Sequence, residues 1–303
     1  MSSHPLEPLL QLDGVRQSVD GARRACEELR WHRALRRQWA VVRAESGIRA
    51  AHAGMILDGL RLPLAMVRDV ARGATSAPAG PDGDAVLAAL RVQADVERLM
   101  APPGAPGGTG PVPFGQLLVR LHVAAAAGPG ERTGRPRDLQ QPDDLRGLGP
   151  APTGGELAAR LSALADLVAR PLPPQVPALV LAGVVHGELL ALRPFGEGNG
   201  AVARGVVRHL LTARGVDPVG VVVPEIHGAR EPNVYLSTAA GFLVGTSDGV
   251  AAWLRYCASA VTTGAVEGRT VAEAVLAGRL GADGAREDGA VVEAGVAHGN
   301  GAP

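Results

Sequence analysis

A mostly α-helical fold is what this sequence predicts, with an extra helical region at the N-terminus and a helical core interrupted by a short hairpin or loop. Three observations predict it. Apolar residues recur at mixed three- and four-residue spacing over most of the chain. Alternating runs that would build a sheet are nearly absent, the β-branched Val219–Val223 being the one candidate strand. Proline- and glycine-rich stretches at 74–83, 101–113 and 128–155 separate the periodic segments.

Taken in order, the first helical stretch runs from about Val15 to Ala51, with few breakers, and a second covers Leu62–Ala71. Asp84–Met100 carries Val86, Leu87, Leu90 and Ala94 on one side and Val92, Val96 and Leu99 on the other, so it is expected to be buried on two faces. Phe114–Ala127 follows the Pro/Gly linker. Helical spacing resumes at Glu156–Ala169, Gln175–Leu192, Asn199–Arg214, Val234–Val244, Gly249–Thr263 and Val271–Leu280. From Gly281 the composition is Gly, Ala, Asp and Glu without period, which reads as a disordered tail. The expected organisation is an N-terminal helical region at 1–75, a helix and linker at 76–113, a core at 114–265, and a C-terminal helix and tail at 266–303.

Composition excludes whole classes of chemistry. All 30 basic side chains are arginine and none is lysine, so no Schiff base, lysine-held pyridoxal phosphate or Walker A loop can form. Any phosphate must be met by guanidinium groups, backbone N–H groups or a metal. The formal net charge is zero, so no global field draws the chain to nucleic acid or membrane. Aromatic residues at 3% are too sparse for base-stacking platforms. Cys26 and Cys257 make neither a disulfide framework nor a CxxC metal site. With no signal-like N-terminus and no apolar run long enough to span a bilayer, a soluble cytoplasmic location is expected.

The chemically informative segment is Arg193-Pro194-Phe195-Gly196-Glu197-Gly198-Asn199-Gly200-Ala201-Val202-Ala203-Arg204. Pro194 ends the preceding helical pattern. Three glycines in five positions allow a tight turn and close approach to a ligand, and Asn199 or Gly200 then opens a helix. A glycine-rich turn feeding a helix N-terminus offers free N–H groups and a favourable dipole to an anion. Glu197 supplies a carboxylate for Mg²⁺, and Arg204, one turn into the helix, can reach back to bind phosphate. Gly198-x-Gly200-x-x-Ala203 also satisfies a dinucleotide fingerprint, so an NAD(P)-binding oxidoreductase is a competing reading; that motif requires a preceding strand, and Gln175–Leu192 is too long for one.

These residues resemble the signature of the Fic (Fido-domain) family, HPFx[D/E]GNGRxxR, at Pro194, Phe195, Glu197, Gly198, Asn199, Gly200 and Arg204. His186, Leu121-His122, the Gly134–Arg137 region, Tyr235 and the Trp253 helix resemble further family landmarks in order, over roughly residues 45–263. The resemblance implies a Fic/Fido-type helical core and transfer of AMP from Mg-ATP to a protein hydroxyl. It casts Glu197 as the metal ligand, Gly198, Asn199 and Gly200 as the phosphate-binding hole, and Arg204 as the phosphate clamp.

Two positions depart from the pattern: Arg193 stands where the family has its catalytic histidine, and Ala201 where it has its first arginine. A guanidinium stays protonated, so Arg193 cannot be a general base, a loss of about 10²–10⁴ in rate. It can instead add positive charge near the phosphates. His186 cannot replace it, since seven residues of helix put the two about 10 Å apart along the axis; a hydrogen-bonded core histidine is the expectation.

The resemblance also suggests an inhibitory helix in two registers. One, Ser46-Gly47-Ile48-Arg49, sets Arg49 against Arg204; the other, Gly54 to Gly59, offers an Asp58–Arg204 pair, beside the plainer reading of an acidic helix end. Arg23–Arg43 is rich in arginine and carries Trp31 and Trp39, which reads as an amphipathic helix with a solvated face, the two tryptophans sharing its buried side. The functional expectation is therefore a Fic-like protein binding a nucleotide or other phosphate ligand with Mg²⁺, its nucleotidyl transfer impaired or altered, or else a non-catalytic regulatory or interaction protein with a protein partner.

Overall fold

In the computed structural model the described residues are 4–104, 112–126 and 133–280, and they form eleven α-helices and no strand. The helices are α1 (Val15–Arg30), α2 (Trp39–Leu57), α3 (Leu64–Ala71), α4 (Pro81–Arg98), α5 (Phe114–Ala125), α6 (Gly154–Ala169), α7 (Ala178–Leu192), α8 (Asn199–Ala213), α9 (Glu225–Arg230), α10 (Pro232–Val244) and α11 (Ser247–Leu276). The expected tail from Gly281, the middle of the 101–113 linker and the start of the 128–155 stretch lie outside the described residues.

The sequence explains the centre of this arrangement. Helix α7 is apolar nearly all round, ALVLAGVVHGELLAL, and such a helix is stable only when surrounded. It packs against α6, α8, α10 and α11. Trp253 of α11 is fully buried and donates its indole N–H to the Gly183 carbonyl of α7 at 2.8 Å, satisfying its one polar atom. Helix α4 is buried on both faces: Val92 and Val96 join the main core, while Val86 packs in a second cluster with Met55 and Val67; Leu87, expected beside Val86, is exposed instead.

Several expectations are corrected. The single helix over Val15–Ala51 is two, because buried Leu29 is followed by Ala34, Leu35 and then Val42, a spacing that breaks the three-four rhythm; His32 caps the intervening turn by accepting from the Ala34 N–H at 3.3 Å. Trp31 consequently lies in the break and is 67% exposed rather than sharing a buried face with Trp39. Of the two forms allowed for the 128–155 stretch, the described part is a loop. No helix boundary falls between 263 and 271: α11 runs through, so a division at 265/266 cuts a continuous helix, and one apolar core extends from Leu6 to Val275.

Val219–Val223 is no strand: Val219 and Gly220 lie in a turn, Gly220 at φ 76°, and no strand occurs among the described residues for 221–223 to pair with. Asp217 accepts the Gly220 and Val222 N–H groups at 3.0 and 2.8 Å, and Val223 N–H bonds the Gly264 carbonyl at 3.2 Å. The segment lies directly on α11: a Cβ on Gly268 would stand 2.4 Å from the Val221 carbonyl oxygen and 2.9 Å from a Leu29 methyl. Backbone cannot retreat as a flexible side chain can, so Gly268→Val is expected to lower stability by about 1–3 kcal/mol or more, read as a lower denaturant midpoint.

Candidate functional site

The glycine-rich turn joins α7 to α8. Arg193 caps α7 in the left-handed region, φ 41°, and Gly198 does the same for the start of α8 at φ 73°. Phe195 is fully buried and stacks on His122 of α5, centroids 3.9 Å apart and planes 7° apart. His122 accepts the Gly134 N–H on Nδ1 at 2.9 Å, and its pKa is lowered by burial, partly offset by its bond to the Glu197 backbone. It is thus a neutral spacer between the loop and the turn. Asn199 stitches the turn shut: its side chain accepts from Phe195 N–H and donates to Phe195 C=O, both at 2.9 Å.

The loop at 133–153 is fastened along this turn. Arg137 donates from its backbone to the Pro194 carbonyl and from its guanidinium to the carbonyls of Arg193, Leu192 and Pro152, each at 2.7 Å. Asp143 N–H bonds the Gly196 carbonyl at 2.7 Å. Next along the loop, the Asp144 carboxylate accepts from both the backbone N–H and the side-chain amide of Asn199, each at 2.7 Å. Burial raises the Asp144 pKa and the two Asn199 bonds oppose that shift.

Arg204 lies one turn into α8, buried, and donates to the Asp58 carboxylate at 2.5 Å and to the Gly54 carbonyl at 3.2 Å. Burial is the largest single influence and lowers its pKa; Asp58, Tyr235 and Glu225 together raise it by more, so the net shift is upward and the cation is secure. A Cβ on Gly200 would stand 2.8 Å from the Asp58 carboxylate and 2.9 Å from Arg204, so only glycine leaves room for both. Of the two registers for the N-terminal helix, the pairing follows the one ending in Asp58-Gly59. Arg49 turns away, bonding Glu45 at 3.2 Å and Glu267 at 2.5 Å.

Arg193 departs from its expected place beside the phosphates. Its side chain is fully buried and donates to the Leu145 and Gly149 carbonyls at 2.9 and 2.6 Å, holding the loop instead. Burial lowers its pKa and Asp144 raises it. His186 faces an interior cavity and hydrogen-bonds the Tyr235 hydroxyl at 3.0 Å; burial, then the charge of Arg204, pulls its pKa to about 3, so it is neutral at ordinary pH. That cavity, about 40 Å³, is also lined by Arg204, Glu225, Tyr235 and Tyr256, and Arg204 Nη1, Glu225 Oε2 and Tyr256 Oη have no hydrogen-bond partner among the described residues. Glu197 is exposed at the turn, and no group of three metal-binding side chains occurs among the described residues.

The structure therefore brings Glu197, Gly198, Asn199, Gly200, Arg204 and Asp58 to one end of α8, with Pro194 and Phe195 beneath them; Arg193 and His186 face elsewhere. Asp144 was not legible as a site residue, because nothing in the unpatterned loop sequence shows which way it folds back; Arg137 stood out only as part of the Gly134–Arg137 landmark, without a contact assigned to it. The dinucleotide-binding alternative fails on geometry: a 15-residue helix, α7, precedes the glycines where a strand is required.

No protein-family model matches the sequence, and no curated protein is similar to it. Solved structures are. A Fic family protein from Desulfovibrio desulfuricans G20 superposes with a TM-score of 0.66 at 17% identity, covering 85% of this chain and 74% of that one. Fic-1 from C. elegans gives 0.64 at 15% identity, covering 86% and 73%. A Fic domain containing signaling protein from Bacteroides thetaiotaomicron gives 0.59 at 12% identity, covering 84% and 98%. The chain has the all-helical Fic fold.

Proposed function

We propose that this chain, folded as Fic proteins are, binds the phosphates of a nucleotide at the α8 N-terminus and Arg204 and is deficient in transferring the nucleotidyl group. The observation that carries this reading is that both elements already hold anions from elsewhere in the chain, Asp144 on Asn199 and Asp58 on Arg204. Helix N-terminal amides and a guanidinium are the groups that recognise phosphate in the absence of lysine. Mg²⁺ arriving with a nucleotide would be held by Glu197, which is exposed at the turn. One carboxylate suits Mg²⁺ when phosphate oxygens and water complete its six ligands, and the ion would neutralise phosphate charge there.

Transfer to a hydroxyl requires a group that takes its proton. Arg193 is a cation bonded to two carbonyls, His122 is engaged between loop and turn, and His186 is committed to Tyr235. Without a base, a bound nucleotide is retained rather than spent, which suits a nucleotide-responsive regulatory protein. The test incubates the full chain with Mg²⁺ and ATP radiolabelled at its α-phosphate. Asp58→Ala should remain unlabelled, and adding Arg193→His with Ala201→Arg should raise self-labelling by about 10²–10⁴-fold. Equally strong labelling by Asp58→Ala alone would show that a base is present.

A further inference from the structure

The two residues other than glycine with positive φ among the described residues are Leu145, φ 52°, and Arg193, φ 41°, and they are bonded to each other: Arg193 Nη1 donates to the Leu145 carbonyl at 2.9 Å. Left-handed backbone is unfavourable for both residue types, so surrounding contacts must hold it. Those contacts are the second Arg193 bond to Gly149, the Asp143–Gly196 backbone bond, and the bidentate seat of Asp144 on Asn199. Each of them ties residues 143–149 to the 193–199 turn, and the Asp144 pair reaches the first residue of α8.

A second observation marks the covered place as a site for an outside anion. Arg204 Nη1 is buried without a hydrogen-bond partner and lies 2.9 Å from where a Gly200 Cβ would stand, beside the first turn of α8. Asp58 and Asp144 are also close enough for the charge of Asp58 to disfavour that of Asp144. Two carboxylates are thus gathered at one helix end although they repel.

We propose that the 143–149 loop is a built-in gate in which the Asp144 carboxylate stands in for a phosphate group on Asn199, so that a polyphosphate ligand must displace Asp144 before it can occupy the α8 N-terminus. Arg193, in the position of the missing base, is the latch of this gate. The Asp58–Arg204 pair closes the other end of the same cradle. The proposal rests on the phosphate-binding reading above but concerns a different carboxylate, and it assigns the loop a role in admitting the ligand.

The experiment titrates inorganic pyrophosphate, and separately Mg-ATP, into the full wild-type chain, Asp144→Ala and Asp144→Asn by calorimetry, with circular dichroism confirming the fold. Pyrophosphate should bind Asp144→Ala at least fivefold more tightly than wild type. Hydrogen exchange supplies a readout that needs no variant: saturating pyrophosphate should speed exchange in 141–149 of the wild-type chain while slowing it at 199–204. Equal or weaker binding by folded Asp144 variants, or unchanged exchange in 141–149 while 199–204 is protected, would make Asp144 a plain helix cap and overturn the gate. If pyrophosphate behaves as expected and Mg-ATP does not bind, the gate stands and the nucleotide reading fails. Mg-ATP binding equally to wild type and Asp144→Ala leaves the nucleotide reading in place and removes the gate. Should the alanine variant not fold, the asparagine variant and the exchange experiment decide.

Discussion

Asp58→Ala is expected to cost the free protein about 2 kcal/mol, and Mg-ATP is expected to restore it. The variant leaves the buried Arg204 guanidinium with a single acceptor, the Gly54 carbonyl at 3.2 Å. A buried charged donor without its partner costs about 1–3 kcal/mol. Asp58 is 43% exposed, so the screened charge attraction contributes the smaller part. An anion entering from solvent would replace the lost carboxylate, and a ligand at a hundred times its Kd stabilises by about 2.7 kcal/mol. Urea unfolding with and without Mg-ATP reads both effects; a loss of stability that Mg-ATP leaves untouched would separate the ion pair from ligand binding.

Trp253→Ala carries the largest expected effect on the fold. The side chain is fully buried, stacks on Tyr256 with centroids 5.7 Å apart, touches the His186 and Phe242 rings, and bonds Gly183. Large-to-small replacement of such a residue costs about 3–5 kcal/mol, and the Gly183 carbonyl also loses its donor from α11. Since a domain is typically stable by only about 5–15 kcal/mol, most of the margin goes. Thermal melting should shift downward strongly. Trp253→Phe, which keeps much of the apolar volume but not the N–H, should fall between the two; a melt for Trp253→Ala close to wild type would mean that α7 and α11 are not held together as described.

The contrast between what was and was not legible has physical causes. The turn at 193–200 could be read because its requirements are local: glycines for the bend, proline to end a helix and a carboxylate at its mouth lie in one contiguous run. Asp58 emerged as one of two registers because Gly59 follows it at the end of a helical pattern, although spacing alone did not choose between Asp58 and Arg49. Asp144 sits 55 residues from Asn199 in a loop with no period, and no pattern within the chain announces that pairing. The direction of Arg193 was hidden for a related reason, since it depends on where the carbonyls of Leu145 and Gly149 come to rest. Val219–Val223 misled because its β-branched residues favour extended backbone, while Gly220 turns the chain at φ 76° with its N–H on Asp217. Gly264 and Gly268 let residues 221–224 lie against α11, a contact that their place in a helix does not announce.

The proposed function requires Arg204 and the α8 N-terminus to be a phosphate site that the chain's own carboxylates occupy. Its most direct test is calorimetric titration of Mg-ATP into the full wild-type chain, Asp58→Ala, and Asp58→Ala combined with Arg204→Ala. The predicted result is binding at least tenfold tighter in Asp58→Ala than in wild type, lost again when Arg204 is removed. A folded Asp58→Ala protein that takes up no Mg-ATP, or one whose affinity is indifferent to Arg204, would contradict it.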